Sequence, residues 1–238
     1  MELIWEGVRK AVMLLITGDR ELIEIALLSV KVSGSAVLVS MLLGIPLGMF
    51  LALSSFPGRR LLIAIMNTGM SLPPVVVGLF VTIILWRSGP LGFWGVLYTP
   101  TAMIIAQVLI AAPIVCGLTI AAFQQINPKL RLQALSLGAS HSQMLLTLIK
   151  EARLPTLAAI MAGFGGVISE VGAVMMVGGN IKGQTRVLTT ATVMETRMGH
   201  FDMAIALSIV LLVLAFIVNL VLTTIQQRGG PWIIRTWK

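Results

Sequence analysis

Long runs without a charged side chain constrain this sequence more than any other feature. Residues 32–58, 61–86 and 203–227 hold 27, 26 and 25 uncharged residues, whereas a helix needs about 20 apolar residues to cross a bilayer. Residues 88–128 form a fourth run of 41, in which a loop rich in Gly and Pro precedes a span near 100–123. Because backbone groups in lipid must be hydrogen-bonded within the chain, these runs predict membrane-spanning helices.

A fifth span is predicted at residues 154–177, where Glu170 is the one charged side chain. Charged residues make up 11% of the chain and its mean hydropathy is +0.99, while a soluble domain carries roughly 25% charged residues. The sequence therefore predicts an all-α, polytopic membrane protein in a lipid bilayer. It would form a single domain over residues 1–238, with about five transmembrane helices in a core at 22–227.

Residues 1–20 are not predicted to cross the membrane. Their apolar run, 11–17, has only seven residues and is flanked by charges, and no small-residue cleavage site follows it, so a signal peptide is not expected. Apolar residues recur here at helical spacing. This pattern predicts a helix that lies in the membrane interface, with Trp5 at the level of the lipid headgroups.

The distribution of basic residues predicts the orientation. With five spans the termini lie on opposite sides, and one orientation places nine basic residues inside and seven outside. The positive-inside rule then puts the C-terminus and residues 126–153 in the cytoplasm and the N-terminus outside a cell membrane. The unusually basic outer face suits an anionic cargo. Ordinary contacts with lipid headgroups explain it equally well, and both interpretations stay open.

No motif for chemistry is found in the sequence. Cys116 is the single cysteine and lies within a span, and the two histidines, His141 and His200, are isolated. The Gly-Gly-Asn at 178–180 lacks the Lys-Ser/Thr pair of a phosphate-binding loop. We therefore expect no catalytic residue, no metal ligand, no cofactor on this chain and no nucleic-acid partner. Any ATP that is used must be bound by another chain.

A capped helix–glycine–helix unit at residues 126–155 separates two spans. Asn127 is a good N-cap, and Pro128 stands at the first helical position, where its missing N–H has no cost. Gly138 supplies the left-handed residue that ends this short helix, and Ser140 begins a capping box that starts the next one. The unit either rests on lipid headgroups or presents a short amphipathic helix to a partner.

The unit carries a resemblance to a known family. Gln133-Ala134-x-x-x-Gly138 resembles the glutamate–alanine–alanine–x3–glycine signature of ABC importer permeases, with Leu132 in place of the glutamate and Gln133 in place of the first alanine. In that family the segment is the coupling helix, which inserts into the ATP-binding subunit. The resemblance therefore implies an ATPase-coupling set of Ala134, Leu135, Leu137, Gly138, Ala139 and Ser140.

Further segments point to oxyanion permeases. Three segments are similar in content and order to segments of the molybdate and tungstate permeases: SFPGR at 55–59, LPPVVVG at 72–78 and SGPLG at 88–92. Three further segments look most like the tungstate-specific (Tup-type) permeases: LIKEAR at 148–153, EVGAVMMVGGNIK at 170–182 and TRVLTT at 185–190. The resemblance covers residues 22–227 and implies an ATP-driven importer of an oxyanion, with tungstate favoured and molybdate or sulfate as alternatives.

The resemblance also implies partners. These are an ATP-binding cassette subunit that holds ATP and Mg, an extracytoplasmic tungstate-binding protein, and a second copy of this chain in a homodimer with the path on its two-fold axis. A secondary transporter independent of ATP remains the main alternative from another class. It would need coupling-ion carboxylates or inverted repeats, and the sequence shows one buried acid and no repeat. A membrane scaffold that transports nothing is a further alternative.

Six residues are candidates for the translocation path. Pro73 and Pro74 stand halfway along the second span, where they either line a cavity or make a packing kink. Glu170 is costly at this depth, and we expect an ion pair or hydrogen bonds from backbone N–H groups to hold it. Possible ion-pair partners are Lys31, Arg87, Lys182 and Arg186. Hydroxyl donors for an oxyanion are sought in Ser169, Thr189 and Thr190.

Gly44 and Gly48 form a small-x-x-x-small pattern in the first span. Such a pattern lets two membrane helices approach closely.

Overall fold

The structure is a computed structural model and describes residues 2–228. These residues form ten α-helices and a short 3-10 helix at Gly92–Trp94, and they contain no strand. The all-α fold is therefore confirmed. In chain order the helices are α1 (Glu2–Thr17), α2 (Arg20–Leu53), α3 (Arg59–Met70), α4 (Pro74–Leu85), α5 (Pro100–Gln124), α6 (Pro128–Ser136), α7 (His141–Ile168), α8 (Gly172–Gly178), α9 (Leu188–Arg197) and α10 (Phe201–Arg228).

Three described helices, α2, α5 and α10, are each long and apolar enough to cross a membrane. Two bent pairs meet the same test together: α3 with α4, at an angle of 102°, and α7 with α8, at 58°. The described chain thus offers three to five spans, and five agrees with the sequence. The break that Pro73 and Pro74 indicated in the second span is present, whereas the fifth span, at 154–177, was expected as one helix and is broken between α7 and α8.

The first span also differs from its prediction. Instead of starting near residue 32, α2 begins at Arg20, where the Asp19 carboxylate accepts a hydrogen bond of 2.8 Å from Leu22 N. Its first turns carry charges that pair with each other, as Arg20 and Glu24 do at 2.9 Å. With 34 residues α2 is about 51 Å long, which exceeds the bilayer core of about 30 Å. Charged turns are therefore compatible with this helix because they extend beyond the apolar layer.

Helix α5 forms the centre of the bundle and packs against α2, α3, α4, α7 and α8. Along its length it contributes to four separate hydrophobic clusters, from Met103 at one end to Phe123 at the other. The contact with α2 is very close, since a Cβ added at Gly48 would lie 2.7 Å from the Cys116 carbonyl oxygen and one at Gly44 would lie 3.1 Å from Cys116 N. The close approach predicted from the two glycines is confirmed.

Helix α1 is present as predicted and packs against the start of α10. Lys10 donates to Asp202 at 2.5 Å, and Ala11 is buried in the contact. Trp5 lies on the other face with 72% of its surface exposed. This amphipathic arrangement suits the predicted position in the membrane interface, which stays a prediction.

The two ends of the bundle carry different elements. At one end, which we call the α6 end, Phe123 of α5 packs with Leu53 of α2, Leu130 of α6 and Leu148 of α7. At the other end, Leu22 of α2 packs with residues of α9 and α10; we call it the α9 end. Residues Arg235 and Lys238, which entered the charge count, lie outside the described residues.

Candidate functional site

The helix–glycine–helix unit is built by caps that the sequence predicts. Asn127 Oδ1 accepts a hydrogen bond of 2.9 Å from Lys129 N, and Pro128 begins α6. The helix ends at Ser136, and Gly138 follows with a φ of +81°. A left-handed residue here allows the Ala139 N–H to bond the Ala134 carbonyl at 3.0 Å, so the turn between the two helices has a fixed shape.

The capping box at the start of α7 is also present. Gln143 N donates to Ser140 Oγ at 3.4 Å, and Gln143 Oε1 accepts from Ser140 N at 2.8 Å. Helix α7 then continues without interruption through Pro155 to Ile168. The second helix of the unit and the fifth span are therefore one element, although the sequence suggested that they were separate.

Three leucines on this unit face outward. Leu130 packs into the bundle, whereas Leu132, Leu135 and Leu137 are 65%, 37% and 87% exposed. Ala134 and Ala139 are half-buried between them, and Gly138 and Ser140 are exposed. Apolar side chains on a helix that also carries Lys129 and Arg131 form a small surface suited to a protein groove.

The break between α3 and α4 lies at residues 71–73. Pro73 is exposed there, and Pro74 occupies the first turn of α4. Helix α4 then packs tightly on α8, since a Cβ added at Gly78 would lie 2.7 Å from Ala173 Cα. The start of α4 and the start of α8 therefore lie side by side, each following a break in a span. Irregular backbone of this kind is tolerated in a membrane where it abuts protein or lines a cavity.

Glu170 occupies the break between α7 and α8. Its Oε1 accepts a hydrogen bond of 3.0 Å from Ala173 N, and its carbonyl oxygen accepts one of 3.1 Å from Thr189 Oγ1. The expected bond from a backbone N–H is therefore present. No salt bridge joins Glu170 to a basic residue in the described part of the chain, and two proposed partners, Lys182 and Arg186, instead lie 2.6 and 3.5 Å from Glu21.

The three hydroxyl candidates differ in their surroundings. Ser169 is exposed, and its Oγ donates to the Gly165 carbonyl at 2.8 Å. Thr190 is fully buried, and its hydroxyl bonds Val187 within its own turn. Thr189 is 7% exposed and donates to Glu170, as described above. The structure thus brings Ser169, Glu170 and Thr189 together, and it assigns Thr190 to the start of α9.

Two polar residues near Glu170 were not among the candidates drawn from the sequence. Gln107 in α5 donates from Nε2 to the Val167 carbonyl at 3.0 Å, and Ser29 in α2 accepts from Leu188 N at 2.9 Å. Together with Ser33 and Thr189 they line a small cavity of about 10 Å³, which is about the least space that can hold one water molecule. Gln107 is the one side-chain amide within the predicted span at 100–123. A polar side chain in an apolar span could have marked it as a candidate. Among the described residues, no group of three His, Cys, Asp or Glu side chains is suited to a metal ion.

Comparison with known proteins identifies relatives along nearly the whole chain. The model of the family described as "binding-protein-dependent transport system inner membrane component" matches residues 44–232. The tungstate uptake system permease protein TupB of Peptoclostridium acidaminophilum is 44% identical over 96% of this chain and 100% of its own. The protein of that name from Campylobacter jejuni is 35% identical over 93% and 92%. Permeases for molybdenum and sulfate show 26–29% identity.

A solved structure shares the fold. The chain aligns with one from a bacterial alginate ABC transporter, solved in complex with a periplasmic protein that holds an alginate pentasaccharide. The TM-score is 0.74 at 19% identity, over 91% of this chain and 82% of that one. At this identity the likeness concerns the fold alone.

Proposed function

Because this chain belongs to the family of binding-protein-dependent transport system inner membrane components, we propose that it is the permease subunit of an ATP-driven importer of tungstate. The observation that carries the proposal is the 44% identity to a tungstate permease over all of that protein's length. The chain is a transport subunit and not an enzyme. Molybdate and sulfate are weaker candidates, since the relatives named for them are less similar.

The α6 end is proposed to be the site where the ATP-hydrolysing subunit docks. A separate ATP-binding cassette subunit, holding ATP and Mg, would receive Leu137 and its neighbours in a groove on the cytoplasmic side. The support is the rigid turn at Gly138 together with the 87% exposure of Leu137. A large apolar side chain at the tip of a fixed turn is an efficient anchor, because little conformational entropy is lost when it docks.

The opposite, α9 end is proposed to face outward and to meet an extracytoplasmic binding protein that delivers the anion. Two copies of this chain would form a homodimer with the path on the two-fold axis. In this arrangement Pro73 and Ser169, which are exposed in one copy, would face the path. Pro74, Glu170 and Thr189 would hold the broken helices behind it, and Thr190 would hold the first turn of α9.

The anchor can be tested by replacing Leu137 with Asp. We expect the purified permease to bind its ATPase at least tenfold more weakly, or by about 1.4 kcal/mol, because a carboxylate would have to be desolvated in the groove. Its thermal stability should be unchanged, since Leu137 makes no core contact. Phe93→Asp is the matched control, because Phe93 is 78% exposed before the start of α5, away from α6. Equal ATPase binding by both variants would contradict the proposed docking surface.

The transport activity itself is tested in vesicles that contain the permease, its ATPase and its binding protein. Tungstate uptake should require ATP hydrolysis and should be inhibited by excess molybdate less than by excess tungstate. Uptake that proceeds without the ATPase would favour the secondary transporter, and the absence of uptake under all conditions would favour a scaffold.

A further inference from the structure

A cleft of about 790 Å³ opens at the α9 end between the first turns of α2 and the loop that precedes α9. We call it the basic cleft. Its charged lining consists of Arg20, Glu21, Glu24, Lys31, Lys182 and Arg186. Four of these side chains are basic and two are acidic, so the cleft has a positive field.

Glu21 holds the two basic residues of the loop. Its carboxylate lies 2.6 Å from Lys182 Nζ through one oxygen and 3.5 Å from Arg186 NH1 through the other. The Glu21 and Lys182 side chains are 45% and 66% exposed, whereas that of Arg186 is only 15% exposed. The buried Arg186 Nε has no acceptor among the described residues. Glu21 therefore uses only part of the donor set that the loop offers.

The loop that carries these cations is rigid. The Ile181 carbonyl accepts hydrogen bonds from the backbone N–H groups of residues 184, 185 and 186, at 3.1, 2.9 and 3.1 Å. Thr185 Oγ1 donates to the Gly178 carbonyl at 2.5 Å and accepts from Ile181 N at 2.9 Å. Lys182 and Arg186 are therefore held on a preformed turn, which is how proteins build selective anion sites.

We propose that the basic cleft is an oxyanion-binding site in which the Glu21 carboxylate occupies the place of the incoming anion. A tetrahedral dianion brings four oxygens and two charges, so it can satisfy Lys182 and Arg186 better than one carboxylate can. When no anion is present, Glu21 keeps both cations paired and avoids the cost of an isolated charge at Arg186, whose side chain is largely buried. The identity of the anion as tungstate rests on the proposed function.

The loop that lines the cleft continues along the chain into residues that are hydrogen-bonded to Glu170 and to α2. Three residues after Arg186, Thr189 donates to the Glu170 carbonyl, and between them Leu188 N donates to Ser29 of α2. An anion that releases Glu21 would therefore act on a short, hydrogen-bonded segment that ends at the break between α7 and α8. This connection distinguishes the cleft from a patch that only attracts anions.

The test uses two variants that break the same ion pair. Purified permease without partners is titrated with sodium tungstate by calorimetry. Glu21→Gln should bind tungstate at least tenfold more tightly than the unmodified chain, because the competing carboxylate is gone, and Lys182→Gln should bind at least tenfold more weakly. A purely structural ion pair predicts the same loss of thermal stability from both variants and no change in binding, and that result would overturn the proposal.

Two controls distinguish a built anion site from a general positive field and from a lipid-binding surface. Glu24→Gln changes the net charge of the cleft as Glu21→Gln does but removes only the pair with Arg20, whose side chain is 94% exposed. Equal tightening by both variants would reduce the site to a general field and overturn the proposal. A soluble short-chain phosphatidic acid in the same titration tests a lipid headgroup as the ligand. Its binding without any binding of tungstate would also overturn the proposal.

Failure of this proposal is distinguishable from failure of the proposed function. Wild-type vesicles that import tungstate with ATP, together with equal tungstate binding by the two ion-pair variants, would reject the site and keep the transporter. Should Lys182→Gln fail to fold, Lys182→Arg keeps the charge and alters the geometry. It should then bind tungstate more weakly than the unmodified chain, and unchanged binding would count against the site.

Discussion

Gly138 has a φ of +81°, and a Cβ there would meet no atom within 4 Å. A substitution at this position is therefore limited by backbone conformation alone, and the left-handed region costs most residues about 1–2 kcal/mol. We predict that Gly138→Val lowers ATP-driven uptake severalfold while the bundle stays folded. Gly138→Asn should retain most of the uptake, because asparagine tolerates this conformation. Equal uptake by both variants in vesicles would show that the turn does not need its fixed shape.

Glu170 serves as an acceptor for the first turn of α8. Glu170→Ala removes this acceptor, which precedes the N-cap Val171. We predict a loss of about 1 kcal/mol of stability, the size known for the loss of a capping side chain, measured as a lower thermal midpoint in detergent. Glu170→Gln keeps an oxygen for Ala173 N, so its midpoint should stay near that of the unmodified chain. If Glu170→Gln nevertheless lowers uptake, the charge has a role of its own. A normal midpoint for Glu170→Ala would contradict the capping role.

At the level of single residues, the sequence predicted helix caps and turns, but it did not predict ion pairs between residues far apart in the chain. The roles of Asn127, Gly138 and Ser140 follow from neighbours within four residues, and all three are present. The pairing of Glu21 with Lys182 spans 161 residues, and one sequence has no signal for it. Glu170 could be expected to find a backbone N–H, but the bond from Thr189 depends on how α9 packs.

Among the helices, α4 and α8 of the two broken spans approach each other closely at Gly78. A Cβ at Gly78 would overlap the backbone of Ala173 at 2.7 Å, so the two helices would have to separate. We predict that Gly78→Ala destabilises the protein by about 1–3 kcal/mol, seen as a lower thermal midpoint. Gly34→Ala in α2 is the control, because a Cβ there meets nothing within 4 Å. A loss of the same size at Gly34 would mean that the effect is not one of packing.

The existence of the helices was easier to predict than their angles. Uncharged runs located α2, α5 and α10, because a lipid environment leaves such runs no alternative to helix. Pro73 and Pro74 indicated a break, but a proline removes one hydrogen bond and does not fix a direction. The angle of 102° depends on the packing of α4 against α8 and α5.

For the whole molecule, the proposed orientation can be tested with a membrane-impermeant maleimide. Ser136 at the α6 end and Gln184 at the α9 end are both exposed, and the native Cys116 is buried. We predict that Ser136→Cys is labelled only in inside-out vesicles and that Gln184→Cys is labelled only in intact cells. The reverse pattern would place the basic cleft in the cytoplasm, and labelling of the unmodified chain would invalidate the assay.

Helix α7 joins the two functional regions as one element of 28 residues, about 42 Å long. Ser140 lies at its first end and Ser169 at its last, so under the proposed function it would act as a lever arm between the turn at Gly138 and the break beside Glu170. A tilt of about 5° about one end moves the other by about 4 Å. In the proposed transporter, a small rotation of the docked ATPase subunits would therefore suffice to shift the edge of the path by more than the radius of a single atom.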